Sequence, residues 1–244
     1  MNKKIALVTG ASRGIGRAIA KRLATDGYHI LIHYVASEAK AQSLLDEIIA
    51  LGGSGSLLQA DLCDLQQVQA LSKNITEVDV LVLNASIQFR NSWQNIPTEE
   101  IQSQFNCNFT ASLLLIQAAA EHMKSASWGR IITIGSVQEA KPHPDMLVYS
   151  ASKSAQENMV RSLALQLAPY GVTVNNVAPG VIATDRNAVA LSDAAYAQKV
   201  KDSIPVGFYG QPEDCAGIVS LLCSEDGRYI TGQSVYVDGG KSIQ

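Results

Sequence analysis

Residues 4–16 read KIALVTGASRGIG, and this stretch decides the fold. The run Lys4–Thr9 is apolar enough for a buried strand, and a segment of helical period begins at Gly14. Glycines spaced G-x3-G-x-G between them allow a tight turn and let the backbone approach a diphosphate. The free amides and the positive dipole end of the following helix favour an anion. The stretch therefore predicts a strand, a phosphate-binding turn and a helix.

The rest of the chain repeats this alternation of short apolar runs and longer segments of helical period. The predicted strands are Lys4–Thr9, Tyr28–Tyr34, Ser56–Ala60, Asp79–Leu83, Arg130–Gly135, Val172–Val177 and Ser234–Val237. The predicted helices are Gly14–Asp26, Glu38–Leu51, Leu65–Lys73, Glu99–Lys124, Ser150–Ala168 and Pro212–Cys223. Strands that are apolar throughout indicate a parallel sheet covered on both faces. We therefore predict an α/β fold, a Rossmann-type doubly wound parallel sheet of about seven strands.

Domain organisation is predicted to be simple, because no linker, charge block or repeat divides the 244 residues. We expect residues 1–244 to form a single NAD(P)-binding domain. The weakly helical stretch 185–210 interrupts the rhythm, and such excursions at the ligand edge of a sheet are usually substrate lids. A plain surface insertion is the alternative.

Composition and charge indicate which classes of binding partner the protein has. A net charge of −3 provides no basic field for nucleic acid. The apolar run after Lys3-Lys4 is too short for a secretory signal, and no run approaches the length of a membrane span. The cysteines at 63, 107, 215 and 223 have neither CxxC nor zinc-like spacing, which predicts reduced thiols and no metal. We expect a cytoplasmic chain without nucleic-acid or membrane partners.

The end of the second predicted strand indicates which dinucleotide binds. NAD-binding proteins of this fold place an acidic residue there on the ribose 2′-hydroxyl, whereas this chain has Tyr34 and no acid until Glu38. Arg13 is placed to meet a 2′-phosphate, and Ser37 to add a hydrogen bond. NADP(H) is therefore favoured over NAD(H). Asp61, after the third strand, either accepts from the adenine amino group or caps a helix.

Four polar residues form the candidate catalytic set. Tyr149 and Lys153 lie four residues apart, on one face of a predicted helix. Ser136 ends the fifth strand, where such a sheet presents side chains to its ligand crevice. Asn108 lies inside a predicted helix, where an amide is a poor intrinsic choice.

Over essentially its whole length the chain resembles the short-chain dehydrogenase/reductase family, most closely the branch of 3-oxoacyl-[acyl-carrier-protein] reductases. The motifs that carry the resemblance are Thr9-Gly10-x3-Gly14-x-Gly16, Asp61, Asn84-Ala85, Asn108, Ser136, Tyr149-x3-Lys153, Pro179-Gly180, Thr184 and the closing stretch 229–240. Leu83 and Ser86 depart from the usual Asn-Asn-Ala-Gly, and Leu83 is expected to loosen the hydrogen bonds of that turn.

The resemblance implies a role for each motif. Tyr149 exchanges a proton with the substrate oxygen, Ser136 orients that oxygen, and Lys153 lowers the pKa of Tyr149 and holds the nicotinamide ribose. Asn108 anchors a water that links Lys153 to solvent. The implied cofactor contacts are Gly10, Ser12, Arg13, Gly14, Ile15, Gly16, Tyr34, Ser37, Asp61, Leu62, Asn84, Ala85, Ser86, Tyr149, Lys153, Pro179, Gly180, Ile182 and Thr184.

The substrate is less determined. Polar residues between Ser136 and Tyr149, together with Arg90 and Arg186-Asn187, favour a small sugar, polyol or keto/hydroxy acid, unless the loop is merely solvated. The alternative is a 3-oxoacyl-[acyl-carrier-protein] reductase of fatty acid synthesis. Ser127 and Tyr170 stand where those reductases have basic residues, which speaks against carrier docking. A non-catalytic cofactor sensor on the same fold is a third possibility.

Self-association is suggested by the segment 113–120, which is apolar nearly all round a helix and is therefore expected to be buried on two sides. The resemblance implies pairing through this helix and the helix Ser150–Ala168. A homotetramer is predicted, with a dimer as the alternative.

Overall fold

A computed structural model describes residues 3–244, and within them one parallel sheet of seven strands runs in the order β3-β2-β1-β4-β5-β6-β7. The strands are β1 Ile5–Val8, β2 His29–Tyr34, β3 Ser54–Gln59, β4 Val80–Leu83, β5 Gly129–Ile134, β6 Val172–Pro179 and β7 Ser234–Val237. The order reverses at β1, which lies between β2 and β4. A crevice opens at such a point, beyond the carboxyl ends of the strands. The predicted fold class is confirmed.

Helices cover both faces of the sheet. They are α1 Gly14–Thr25, α2 Glu38–Ala50, α3 Leu65–Ser72, α4 Thr98–Phe105, α5 Ala111–Ser125, α6 Leu147–Leu167, α7 Asp185–Leu191, α8 Ala194–Asp202 and α9 Pro212–Cys223. None of the helices in this described part of the chain combines the length and apolar composition that a membrane crossing requires.

The core has two layers because neighbouring residues of a strand point to opposite faces. Leu7 and Leu81 pack in one layer with α3, α5 and α6, while Val8 and Val82 pack in the other with α1, α2 and α9. All four side chains are fully buried. Each contributes about 2 kcal/mol of hydrophobic free energy, so both layers hold the strand ends in fixed relation.

The predicted helix Glu99–Lys124 is wrong as a single element. The structure has α4 and α5 joined by a π-helical turn over Asn106–Thr110. The reason is a tertiary bond pair: Asn108 Oδ1 accepts from the Ile87 amide at 2.9 Å, and Nδ2 donates to the Ile87 carbonyl at 3.0 Å. The extra residue of a π turn positions the Asn108 side chain for this pairing.

The predicted lid region folds as α7, α8 and the turns that follow them. Two bonds tie its first turn down: Lys40 Nζ to Asp185 at 3.1 Å, and the Arg186 guanidinium to the Ser86 carbonyl at 2.7 Å. A parallel bridge between Ile182 and Gly210 closes the base of the segment. The segment therefore lies over the carboxyl edge of the sheet, and its action as a lid stays a prediction.

A buried histidine holds the glycine turn in place. His33, at the end of β2, accepts a hydrogen bond from the Gly10 amide on Nδ1 at 3.0 Å, so its Nε2 carries the proton and donates to the Ala60 carbonyl at 3.0 Å. Both bonds require the neutral ring. Burial lowers the pKa of His33 to about 4, from about 6.5 in the unfolded chain.

Acid should therefore destabilise the fold through His33. The unfolded chain binds a proton at His33 near pH 6.5 and the folded chain only near pH 4. The free energy of unfolding should consequently fall by about 3 kcal/mol across that window. Denaturant unfolding between pH 7 and 4 should show a shallower decline for His33→Asn, which keeps an acceptor for Gly10. His143→Asn, on an exposed loop, is the control, and an identical decline in all three proteins would contradict this assignment.

Candidate active site

A cleft of about 840 Å3 opens at the carboxyl edge of the sheet. The glycine turn borders it on one side and the first turns of the lid region on the other. Eighteen of the predicted site residues line it: Gly10, Ser12, Arg13, Gly14, Ile15, Tyr34, Ser37, Asp61, Leu62, Asn84, Ala85, Ser86, Ser136, Tyr149, Pro179, Gly180, Ile182 and Thr184. The other three, Gly16, Asn108 and Lys153, lie behind its wall.

The glycine turn has the features of a diphosphate site. Gly10 and Gly14 have φ of +64° and +55°, a left-handed conformation that side chains disfavour. A Cβ on Gly16 would come within 2.5 Å of Asn84 Nδ2, so glycine is needed for α1 to pack against the end of β4. No acidic residue lies in the first turn of α1 and no side chain caps it. Its amides are thus available to an anion.

Thr9 links the two turns that face each other across the crevice. Its hydroxyl accepts from the amides of Asn84 at 2.9 Å and Ala85 at 3.0 Å, while Asn84 Nδ2 donates to the Thr9 carbonyl at 2.9 Å. The expectation that Leu83 loosens this turn is wrong, because the turn is held by Thr9 and Leu83 is simply buried in β4.

Few acidic residues lie in the part of the cleft wall that contains Arg13. Arg13 is exposed, and its guanidinium has no hydrogen-bond partner among residues 3–244. Within residues 3–244, two carboxylates line the cleft: Asp185, which is paired with Lys40 and also lies in the field of Arg13, and Asp61, which accepts from the Cys63 amide at 2.9 Å. The helix-cap alternative for Asp61 is excluded, since Asp64 caps α3.

Tyr149 and Ser136 meet at the floor of the cleft. The Tyr149 side chain is only 5% exposed, and its hydroxyl interacts with those of Ser136 and Ser86. Burial raises the pKa of Tyr149, while the Arg186 cation and the hydrogen bond with Ser136 oppose that rise. The phenol therefore depends on nearby cations to ionise near neutral pH.

Lys153 lies one helical turn from Tyr149, with its Nζ 5.8 Å from the centre of the phenol ring. The ammonium is fully buried and donates to the Ile134 carbonyl at 2.7 Å and to Gln156 Oε1 at 3.1 Å. Burial lowers the pKa of Lys153 to about 8. Because this pKa is still above 7, Lys153 is mostly charged at neutral pH and lies beneath the phenol as a cation.

Comparison with known proteins agrees with this geometry. A family model described as enoyl-(acyl carrier protein) reductase matches residues 10–242. A 3-oxoacyl-[acyl-carrier-protein] reductase of Staphylococcus aureus is 39% identical over 241 residues, 97% of each chain. The chain belongs to the short-chain dehydrogenase/reductase family. It is therefore an NAD(P)-dependent oxidoreductase that acts on carbonyl groups or the corresponding alcohols.

Two solved structures show how widely substrates vary among these short-chain reductases. A 3-oxoacyl-(acyl-carrier-protein) reductase from Agrobacterium tumefaciens with NADP bound has a TM-score of 0.92 and 33% identity, covering 97% of this chain and 93% of its own. A gluconate 5-dehydrogenase from Burkholderia cenocepacia with NADP and tartrate has a TM-score of 0.92 and 30% identity, covering 100% and 97%. Their likeness identifies the reaction class and leaves the substrate open.

The link between Lys153 and Asn108 differs from the one the family resemblance implies. A side chain links the two residues directly: Gln156 accepts from Lys153 and donates from Nε2 to the Asn108 carbonyl and to Ser112 Oγ, both at 3.0 Å. The Asn108 side chain meanwhile bonds Ile87 and Ser152. Asn108 thus anchors an amide that holds Lys153.

Three structural residues of the site escaped the sequence reasoning: His33, Gln156 and Glu139. Two of them have a signal in the sequence. Gln156 follows Lys153 by three residues on one helix face, and Ser136-Val137-Gln138-Glu139 has the S-x-x-E pattern of a capping box. His33 is a lone histidine in a strand, whose role depends on the distant Gly10.

Replacing Tyr149 by Phe tests the candidate catalytic set. The ring and its burial are kept but the exchangeable proton is lost, so kcat should fall about a thousandfold. Binding of NADPH, followed by its fluorescence, should be retained because the phenol is not needed to fill the cleft. Tyr229→Phe, an exposed tyrosine outside the cleft lining, is the matched control. Turnover of Tyr149→Phe above a few per cent would contradict the assignment of Tyr149 as the acid.

Proposed function

We propose that this enzyme transfers a hydride between NADP(H) and the carbonyl or secondary alcohol of a small polar substrate. The observation that carries the proposal is the grouping of Tyr149 and Ser136 at the floor of the cleft, with the buried ammonium of Lys153 directly behind them. The presence of all four candidate catalytic residues argues against the alternative of a non-catalytic cofactor sensor.

Each residue has a distinct part in the proposed reaction. The nicotinamide, when bound, supplies or accepts the hydride. In reduction, Tyr149 gives its proton to the substrate oxygen and Ser136 Oγ donates a hydrogen bond to the same oxygen as negative charge develops there. The charges of Lys153 and Arg186 favour the phenolate that remains. In the oxidative direction, Tyr149 accepts the proton instead.

The preference for NADP(H) is supported by the cation and the missing acid. Arg13 has no hydrogen-bond partner in the described structure, although Asp185 lies in its field, and Tyr34–Ser37 line the cleft beside it without a carboxylate. Planar guanidinium groups suit a phosphate dianion. Two solved relatives hold NADP.

Substitution of Arg13 by Gln checks this preference. Loss of a charge-assisted phosphate contact of about 1.5–3 kcal/mol should raise the KM for NADPH about 10- to 100-fold. The KM for NADH should stay nearly constant, since NADH has no 2′-phosphate. Arg17→Gln, whose guanidinium pairs with Glu47 outside the cleft, serves as control. An equal rise in KM for NADPH and NADH would show that Arg13 does not bind the 2′-phosphate.

The substrate end of the cleft supports a polar substrate and, among the candidates, favours a hydroxy or keto acid. Arg90, Lys141, Arg186 and Lys241 line the cleft, whereas the described residues add only two carboxylates to its wall, Asp61 and Asp185, and Asp185 is paired with Lys40. A local excess of positive charge in a chain of net charge −3 favours an anion. One relative is a gluconate 5-dehydrogenase with tartrate bound.

A matched substrate panel tests the charge preference. Hydroxy acids, the corresponding neutral polyols, keto sugars and free acetoacetyl thioesters are compared with both cofactors, and Tyr149→Phe is the blank. We expect kcat/KM for the acid to exceed that for its neutral analogue about tenfold or more, through the attraction of a cationic cleft. Arg186→Gln should reduce that ratio. If a neutral compound is the best substrate, the proposal of an acidic substrate is wrong, but the assignment of the reaction class is unaffected.

The second candidate is reduction of 3-oxoacyl thioesters on an acyl carrier protein, favoured by the 39% identity with such a reductase. Against carrier docking, Ser127 and Tyr170 replace basic residues of that branch, although Lys124 lies 5.1 Å above the Tyr170 ring. We expect the carrier-bound thioester to be reduced no faster than its free analogue. A large gain with the carrier would favour the fatty-acid reductase instead.

A homotetramer, with a dimer as the alternative, is our proposal for assembly. Leu165 on α6 is 81% exposed, and Leu113 and Leu114 on the neighbouring α5 are only partly buried. An apolar face of this kind fits a second copy of the same chain. Light scattering of the purified protein distinguishes monomer, dimer and tetramer. The cytoplasmic location remains a prediction.

A further inference from the structure

The turn after β5 is closed by a carboxylate that the hydride-transfer mechanism does not use. Val137–Glu139 forms a single 3-10 turn capped by Ser136, whose Oγ accepts from the Gln138 amide at 3.2 Å. Glu139 Oε1 returns to accept from the Ser136 amide at 2.9 Å. The two bonds form a reciprocal capping box. Ser136, which faces Tyr149, is therefore held in place by Glu139.

The second oxygen of Glu139 joins this turn to the next strand. Oε2 accepts from Asn176 Nδ2 at 2.8 Å, and Asn176 Oδ1 accepts from Thr133 Oγ1 at 2.7 Å. Gly135 makes room for the arrangement, because a Cβ there would collide with Glu139 Oε1 and lie within 2.7 Å of the Asn176 amide. The carboxylate therefore fixes Ser136 relative to β5 and β6.

Glu139 also faces the charges beneath the cleft. The ionisable groups around it are Tyr149, Lys153 and Glu157 on α6, and Tyr236 on β7. Burial raises the pKa of Glu139 to about 7, although Lys153 and the Ser136 amide oppose the rise. In return, the carboxylate opposes the loss of the Lys153 proton.

We propose that Glu139 is a positioning residue of the reaction: its carboxylate fixes Ser136 through the capping box and keeps Lys153 in its charged form. Glu139 acts through these two residues and is outside the cleft lining. The proposal rests on the hydride transfer of the family and is independent of the choice of substrate. Any carbonyl compound whose turnover requires Tyr149 is suitable for its test.

The charge of Glu139 should appear in the pH profile. Below about pH 7 the carboxylate gains a proton, which places a donor against Asn176 Nδ2 and weakens the bond that fixes Ser136, while Lys153, with a pKa of about 8, stays charged. The kcat of the wild-type enzyme should therefore decline as the pH falls through about 7. An infrared carboxyl band of the NADP-bound enzyme should titrate over the same range.

Glu139→Gln keeps the shape and an acceptor for Ser136 but removes the charge. Its kcat should fall about 10- to 100-fold, the loss expected from slight misplacement of a catalytic group. The KM for NADPH should change little, the acid limb near pH 7 should disappear, and the infrared band should be missing. Gly135→Ala should displace the carboxylate without removing its charge, so kcat falls while the acid limb persists.

Glu157→Gln is the matched control. Glu157 is the neighbouring carboxylate on α6, pairs with Arg161 and raises the pKa of Glu139. The plateau of kcat should survive this change, and the acid limb should move to lower pH. Thermal unfolding and NADPH binding of every variant report whether it is folded.

Several outcomes would overturn the role of Glu139. One is a Glu139→Gln enzyme with unchanged kcat; another is a Glu139→Gln enzyme that loses activity yet keeps the acid limb. The infrared titration needs only the wild-type chain. If Glu139→Gln does not fold, the absence of a carboxyl band that titrates near pH 7 still contradicts the proposed role of Glu139. These experiments do not depend on the proposed polar substrate, which is tested only by the substrate panel.

Discussion

Burying an ammonium group under a sheet edge is the constraint on which this site depends. Lys153 is fully enclosed, and an enclosed charge is costly unless its donors are satisfied. The Ile134 carbonyl takes one donor at the end of β5, and Gln156 takes another. Gln156 must in turn be oriented, and the Asn108 carbonyl in the π-helical turn does this. The helix irregularity and the buried cation are parts of one hydrogen-bond network.

Parallel topology brings these groups to one place. Strands β1, β4, β5 and β6 end at the same edge, so turns distant in sequence meet there. Thr9 joins the turn after β1 to the turn after β4, while Asn176 joins β6 to the turn after β5. Side chains that carry no chemistry thus set the distances between those that do.

Much of the architecture was accessible from sequence, because strands buried on both faces are apolar throughout and differ plainly from amphipathic helices. The family motifs likewise identified eighteen of the residues that line the cleft. The features that the sequence did not predict depend on contacts between residues that are distant in the chain. The π-helical turn results from Asn108 bonding Ile87, and the role of His33 from Gly10. Glu139 carried a local capping signal, yet its burial and its bond to Asn176 could not be read from the pattern.

The packing of Gly135 against Glu139 has an evolutionary consequence. A side chain at 135 and a glutamate at 139 compete for the same space, so the two positions are expected to covary among relatives. Alanine at the end of β5 displaces the carboxylate, and with it the link between β6 and the catalytic serine. Loss of the glutamate before the glycine is the less crowded order, since only the Asn176 amide then has to make room for the new Cβ.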